Sequence, residues 1–145
     1  IGVGRPGEIG ILIPEDGALV TGDLINFQRY DLPSLNMPMS DLDAAESSLR
    51  KILALDIEIL APSHDVAVTG RENVRRWVED SIARCQAMRE TARNEISGNT
   101  SISLSALGKK LAGDAKGVPP YELKFLAFIV LKSFSDGLAF LDSKL

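Results

Sequence analysis

Two polar residues of this chain each follow an apolar run that is typical of a β-strand. Asp23 comes shortly after Ala18–Thr21, and His64 comes shortly after Ile57–Ala61. A loop and a helical pattern separate the two runs, and a strand, helix, strand order would bring both residues to one edge of a sheet, where ligands collect in layered α/β folds. Zinc and similar divalent metals accept both carboxylate and imidazole ligands. The pattern therefore predicts that Asp23 and His64 are metal-ligand positions.

Each of these residues also has a structural interpretation. A Gly-Asp pair after a strand forms only a turn in about half of cases. A histidine at a strand end is a metal ligand in only about one case in five when nothing else is known. A catalytic zinc needs about three protein ligands. The chain contains a single histidine, His64. The other ligands must come from elsewhere, and no further catalytic residue can be assigned.

The sequence around the two residues predicts the elements that would position them. Ile9–Ile13 and Ala18–Thr21, joined by a Pro-Glu-Asp-Gly turn, predict a β-hairpin. The proline-containing stretch Leu24–Met39 has no steady period and predicts an irregular loop beside the site. The compact apolar run Ile57–Ala61 predicts a buried strand. These elements form the strand framework of an α/β fold.

Helical patterns follow each part of this framework. Ser40 and Asp43 resemble a capping box before a helix that extends to Leu55, and Thr69 and Glu72 resemble a second one. The second helix extends to Gly98 and has one apolar face, which consists of Val74, Trp77, Val78, Ile82, Cys85, Met88, Ala92 and Ile96. We expect this face to cover the sheet.

The last part of the chain is predicted to be a small separate module. Short helices are predicted at Leu104–Leu111 and from Pro119 to Ser133, and a strand at Leu138–Leu141. The sequence thus predicts two domains, residues 1–98 and residues 99–145. We interpret the second domain as a lid or a dimer contact, so that a homo-oligomer is one expected assembly.

Taken in order, these segments resemble the second half of the metallo-β-lactamase superfamily. In that family a Pro-Gly turn leads into a hairpin, a Gly-Asp pair supplies a metal-bridging carboxylate, and a Pro-Ser-His-like segment supplies the last histidine ligand. The matching segments are Arg5-Pro6-Gly7-Glu8-Ile9-Gly10-Ile11-Leu12, Ala18-Leu19-Val20-Thr21-Gly22-Asp23, Leu49–Leu60 and Ala61-Pro62-Ser63-His64. The resemblance covers about Gly4 to Val78. It implies an α/β fold that is half of an αββα sandwich, with a winged-helix-like tail.

The resemblance also implies a function. The implied function is metal-dependent hydrolysis, in which a metal-bound hydroxide attacks an ester, thioester, lactone or phosphodiester. On this interpretation Asp23 and His64 are ligands of Zn²⁺ or another divalent metal. The implied partners are the N-terminal half of the same fold and a small-molecule substrate.

Two features of the chain favour an alternative. The His-x-His-x-Asp-His motif of the family's first half does not occur here, and Gly4 stands where the family usually has a further ligand histidine. Because glycine has no side chain that could bind a metal, the metal could be lost. The alternative is a catalytically silent module of the same fold, which binds a small molecule or a protein and lacks a complete metal site.

Composition excludes several other classes of partner and location. A formal net charge of −4 with a sequence pI near 5.0 argues against binding to nucleic acid or to an anionic membrane. The lone Cys85 cannot form an internal disulfide, and no apolar run reaches the roughly 18 residues of a membrane span. These features predict a cytoplasmic location. Because the chain starts with Ile1 and enters strand-like sequence at once, we expect it to be a fragment or a processed product.

Overall fold

The structure is a computed structural model, and it describes residues 9–22, 41–63, 66–113 and 117–144. These residues form a mixed α/β fold, which confirms the predicted fold class at that level. The elements are β1 (Ile11–Ile13), β2 (Ala18–Gly22), α1 (Leu42–Leu53), β3 (Ile59–Pro62), β4 (Val68–Thr69), α2 (Arg71–Gly98), α3 (Leu104–Ala112), α4 (Pro120–Leu131) and α5 (Ser135–Asp142). No helix of the described part is long and apolar enough to cross a membrane, and the cytoplasmic location stays a prediction.

The chain divides into two compact units, Ile1–Cys85 and Gln86–Leu145. All four strands and α1 belong to the first unit, α3, α4 and α5 belong to the second, and α2 contributes to both. The division lies within α2, and the predicted domain boundary after Gly98 stays a prediction. So does the interpretation of the first domain as half of a sandwich.

The sheet of the first unit has the strand order β1-β2-β3-β4. β1 and β2 form the predicted antiparallel hairpin, closed by a 3₁₀ turn at Pro14–Asp16 and by Gly17, whose φ of 57° is left-handed. β3 pairs with β2 in parallel, and β4 pairs with β3 in antiparallel orientation. The strand predicted at Ile57–Ala61 is therefore confirmed, with its start two residues later, whereas β4 was not predicted.

The helix predicted after the loop is confirmed as α1, but the predicted cap is wrong. Asp41 is the N-cap, and its carboxylate accepts hydrogen bonds from the backbone N–H groups of Asp43 at 2.9 Å and Ala44 at 3.2 Å. These bonds satisfy two of the N–H groups that a helix start leaves without intrahelical partners. Ser40, to which the sequence assigned this role, lies outside the described residues.

Replacing Asp41 with alanine should lower the free energy of unfolding by about 1 kcal/mol, because it removes both capping hydrogen bonds. Asp41→Asn keeps a side-chain oxygen in the same place and is expected to lose much less. Chemical denaturation of the two variants beside the original protein measures the difference. Equal losses in both variants would show that the charge of Asp41 matters rather than its capping oxygen.

The long helix α2 has the apolar face that the sequence predicts. Seven of its eight predicted residues are buried, namely Val74, Val78, Ile82, Cys85, Met88, Ala92 and Ile96. Trp77 is only half-buried, packed against the edge of the core. The capping box predicted at Thr69 is wrong, because Thr69 belongs to β4 and pairs with Ile59. Gly70 precedes the helix instead, and its carbonyl accepts the N–H of Val74 at 2.9 Å.

One face of the sheet packs against the two helices. The core of the first unit combines residues of β2, α1, β3 and α2, and a sheet residue such as Leu19 or Leu60 is at most 1% exposed. The buried members of this core are Leu19, Leu49, Ile52, Ile57, Leu60, Val74, Val78 and Ile82. Helices α1 and α2 therefore pack against the same side of β2 and β3.

On the opposite face of the sheet, apolar side chains of the described strands are exposed. Side chains alternate between the two faces of a strand, and Val20, the neighbour of the buried Leu19, is 40% exposed. Val20 pairs with Ile11, which is 56% exposed, and the same face carries Ile13 at 38%. We call this surface, defined by Ile11, Ile13, Val20 and Ile59, the open face.

All regular secondary structure in the described part of the second unit, residues 86–113 and 117–144, is helical. The predicted helices are confirmed as α3 and α4, but the strand predicted at Leu138–Leu141 is wrong, because this segment lies in α5. Phe140 and Leu141 are buried whereas Leu138 is 50% exposed, a spacing that suits a helix. Gly137 faces the backbone of Leu131, where a side chain would clash, so the lack of a side chain lets α5 pack closely on α4.

Candidate metal site at the ends of two parallel strands

The strands that precede the two predicted ligands end side by side. β2 and β3 are parallel neighbours, and their last residues, Gly22 and Pro62, are register partners. The next N–H, that of Ser63, donates to the carbonyl of Gly22 at 3.1 Å. Because the two strands are parallel, their carboxyl ends meet at the same edge of the sheet, as the strand, helix, strand pattern predicted.

Both predicted ligands lie just beyond these strand ends and outside the described residues. Asp23 follows the last residue of β2 directly, and His64 follows β3 after Ser63. Gly4 and the predicted loop at Leu24–Met39 also lie outside the described residues. The assignment of Asp23 and His64 as ligands therefore stays a prediction, while the adjacent strand ends that lead to them are in place.

Gly22 gives the end of β2 a conformation that other residues rarely adopt. Its φ is 60°, in the left-handed region, and the pairing with β3 is irregular between Val20 and Gly22. A Cβ added to Gly22 would meet no atom closer than 4.0 Å. The backbone angle rather than lack of space thus explains the glycine at the end of β2.

The residue before this glycine is a buried polar one that the sequence did not single out. Thr21 is 2% exposed, on the same side of β2 as Leu19. Every buried side-chain nitrogen or oxygen in the described part of the chain has a hydrogen-bond partner. Thr21 is therefore a buried polar residue on the core side of β2.

Two of the acidic residues close to β3 in sequence lie at its start, away from the end that leads to His64. Asp56 and Glu58 precede β3, whereas His64 follows it. Both acids face Arg71, whose Nε lies 2.5 Å from Asp56 Oδ1 and 3.7 Å from Glu58 Oε2. These exposed ion pairs tie the start of α2 to the start of β3 and leave neither carboxylate near the strand ends.

A small cavity also lies at this opposite end. It has a volume of about 80 Å³ and is lined mainly by apolar residues of α1, of α2 and of the segment between α1 and β3. Asp56, Arg71 and Arg75 are its charged lining residues. Pockets for small molecules usually measure about 300–1,000 Å³. The cavity is too small for a substrate, and it lies at the start of β3 rather than beside the candidate ligands.

The ligand set of a complete metal site is not found within the described ranges. No group of three or more His, Cys, Asp or Glu side chains occurs there in an arrangement that could hold a metal ion. Asp23 and His64 would contribute one carboxylate and one imidazole, two donors that suit zinc. A third protein ligand would have to come from a segment that the structure does not describe or from another part of the protein.

Comparison with known proteins gives no family for this chain. No family model matches it, and no curated protein matches it either. The resemblance to the metallo-β-lactamase superfamily thus depends on the order of the sequence segments.

Proposed function

We propose that the complete protein is a metal-dependent hydrolase of the metallo-β-lactamase superfamily and that this chain supplies its second half. Asp23 and His64 are the two metal ligands of this half. The observation that carries the proposal is the parallel pairing of β2 with β3, which ends at Gly22 and Pro62. Because of this pairing, the two segments that contain the ligands begin at neighbouring strand ends.

The spacing of these points suits two ligands of one metal. Neighbouring strands lie about 4.8 Å apart, and zinc binds nitrogen and oxygen donors at about 2.0–2.2 Å. Two donors of one ion are therefore separated by at most about 4.4 Å. Aspartate and histidine side chains that leave adjacent strand ends can span this separation without a change in the sheet.

The chain's own part in the reaction is to bind and orient. A divalent metal at this position would supply a water molecule with a pKa lowered to about 7 as the nucleophile for an ester, thioester, lactone or phosphodiester. Asp23 would fix the position of the ion with a charged oxygen, and His64 with a neutral nitrogen. The remaining ligand and most of the substrate pocket would come from the other half of the fold.

The open face supports the second part of the proposal, which is that the other half of the fold comes from another part of the complete protein. Soluble monomers seldom leave large contiguous apolar patches in contact with water. Two sheets that pack face to face lie about 10 Å apart and bury their inner side chains against each other. A second sheet, supplied by the N-terminal half of the same fold, would cover Ile11, Ile13 and Val20 in this way.

A lysine at Val20 should therefore destabilise the complete protein by at least about 2 kcal/mol, because it would place a charge inside the sheet-to-sheet core. Val66→Lys is the matched control, since Val66 is 75% exposed and lies outside the strands of the sheet. Chemical denaturation of both variants measures the difference. Equal and small effects would mean that the open face stays in water in the complete protein, and the sandwich would be wrong.

The catalytic part of the proposal has its own test. We expect the complete protein to hydrolyse at least one member of a panel of ester, thioester, lactone and phosphodiester substrates. We expect a chelator to abolish this activity and zinc or manganese to restore it. Hydrolysis that survives the chelator unchanged would contradict a metal-dependent mechanism.

A second candidate function has a specific observation in its favour. Gly4 replaces a family ligand histidine, and the chain has a single histidine in total. A silent module of the same fold would keep the open face covered and the strand ends adjacent, but would bind a small molecule or a protein without hydrolysis. This candidate predicts no activity on the whole panel together with normal stability.

A further inference from the structure

The sequence contains two Asp-Gly pairs, Asp16-Gly17 and Asp136-Gly137. In such a pair the backbone nitrogen of the glycine can attack the carboxyl carbon of the aspartate side chain. Glycine favours this reaction, because it has no Cβ to hinder the approach and its backbone adopts conformations that other residues rarely reach. Each pair is therefore a candidate site of spontaneous backbone rearrangement, and the surrounding fold decides whether it reacts.

The first pair lies at the tip of the hairpin between β1 and β2. Asp16 is exposed and ends the 3₁₀ turn, and Gly17 follows it with a left-handed φ of 57°. The peptide group between the two residues must rotate before the nitrogen can reach the carboxyl carbon. The N–H of Gly17 donates to the carbonyl of Pro14 at 3.2 Å, near the upper end of the usual range for a backbone hydrogen bond. An exposed turn held in this way opens locally at little cost in free energy.

The second pair has the same chemistry in a closed environment. Asp136 and Gly137 lie in the first turn of α5, and Gly137 is buried. A Cβ added to Gly137 would overlap the backbone carbonyl of Leu131, so the main chain at the end of α4 lies directly against this glycine. Rotation of the peptide group before Gly137 would require α5 to separate from α4. Opening of such a packed element costs more free energy than opening of an exposed turn.

We propose that Asp16-Gly17 is a site of spontaneous isomerisation to isoaspartate and that the fold protects Asp136-Gly137 from the same reaction. The nitrogen of Gly17 forms a bond to Cγ of Asp16, and the hydroxyl of the protonated carboxyl group leaves as water with the amide proton. Water then opens the cyclic imide at the backbone carbonyl of Asp16. The main chain afterwards runs through Cβ and Cγ, and the former backbone carbonyl is a free carboxylate. The overall composition is unchanged, so the reaction needs no reagent besides water.

The rearranged turn fits the sheet less well than the original one. The carbonyl of Gly17 accepts the N–H groups of Glu58 at 2.7 Å and Ile59 at 3.1 Å, and these hydrogen bonds join the hairpin tip to the start of β3. Isoaspartate lengthens the main chain just before this carbonyl, where a Cβ added to Gly17 would already lie 3.2 Å from that of Glu58. Isomerisation therefore weakens the pairing of the hairpin tip with β3. The modification is independent of the proposed hydrolase function.

Incubation of the complete protein at physiological temperature and neutral pH over several weeks tests the proposal, with isoaspartate measured by peptide mapping. We expect at least about 10-fold more isoaspartate at Asp16 than at Asp136 in the folded protein. In guanidinium chloride, which removes the packing of α5 on α4, we expect similar yields at the two positions. No isoaspartate at Asp16 in the folded protein, or equal yields at both positions without denaturant, would overturn the proposal.

A matched pair of amide variants tests the same contrast with a faster reaction. Asparagine forms the same cyclic imide with loss of ammonia, so mass spectrometry detects each conversion. We expect Asp16→Asn to deamidate at least about 10-fold faster than Asp136→Asn in the folded protein. Asp16→Glu is the control for the ring, because glutamate would have to form a larger one, and it should accumulate no isomer at this position. Equal deamidation of the two folded amide variants would show that the fold does not distinguish the pairs and would contradict the proposal.

Discussion

Replacing Gly108 with alanine should lower the free energy of unfolding of the second unit by at least about 3 kcal/mol. Gly108 lies in α3 where this helix crosses α4, and an added Cβ would overlap the carbonyl group of Leu123. The overlapped atoms belong to the backbone, so no side-chain rotation can relieve the clash. The two helices would have to move apart, and their buried residues, such as Leu107 and Leu126, would lose contact.

The same substitution at a second helical glycine is the matched control. Gly98 is the last residue of α2, and a Cβ added there would meet no atom within 4 Å. Because alanine favours the helix over glycine by up to about 1 kcal/mol, Gly98→Ala should be neutral or slightly stabilising. Far-UV circular dichroism during chemical denaturation measures both variants. Equal effects at Gly98 and Gly108 would show that α3 and α4 do not approach each other so closely.

The elements that could be predicted from the sequence are those with a long or well-bounded pattern. The apolar face of α2 recurs over seven buried positions, and one such face is possible only at the helical period. The hairpin of β1 and β2 has a Pro-Glu-Asp-Gly turn between two apolar runs, and that turn chemistry fixes its place. The parallel pairing of β2 with β3 followed from the helix between them.

The elements that were missed or wrong depend on tertiary contacts. β4 has only two residues, Val68 and Thr69, and exists because it pairs with β3. α5 begins with Ser135-Asp136-Gly137, which in the sequence is typical of a turn, and its short apolar run suits a strand equally well. The close approach of Gly137 to the backbone of Leu131 is a tertiary contact that the pattern does not reveal. Trp77 was predicted to be a buried residue of the apolar face of α2, but it is only half-buried and packs against the edge of the core.

The sequence predicts at which edge of the sheet the candidate site lies, but not the positions of its side chains. The common direction of β2 and β3 follows from the helical pattern between the two apolar runs, and it places their ends at one edge of the sheet. The positions of the Asp23 and His64 side chains depend on the segments after the strands, which have no periodic pattern. A bound metal would itself help to fix the positions of its ligands, because metal binding is coupled to folding of the segments that carry them.

Removing either proposed ligand should weaken metal binding in the complete protein by more than about 100-fold. Even changes to groups that only support a ligand cost about 10–100-fold in affinity, and His64→Ala and Asp23→Asn each remove a direct donor. Both residues follow strand ends rather than lie within a strand. We therefore expect the chelated forms of these variants to unfold at nearly the same denaturant concentration as the chelated original protein. Competition with a chromophoric chelator measures the affinities.

A carboxylate at the far end of the same strand pair is the control. Asp16 is an exposed aspartate in the turn that leads into β2. Asp16→Asn removes the same charge as Asp23→Asn but at the opposite end of β2, and it should leave the metal affinity unchanged. A loss in Asp16→Asn as large as that in Asp23→Asn would reflect general electrostatics rather than ligation.

The most direct test is the metal content of the complete protein, measured by elemental analysis after purification without chelator. We expect at least about one equivalent of zinc or another divalent metal per chain in the original protein and in Asp16→Asn. We expect almost none in His64→Ala. An original protein that hydrolyses its substrate without bound metal, or a His64→Ala variant that keeps its full metal content, would contradict the assignment of this chain as half of a metal-dependent hydrolase.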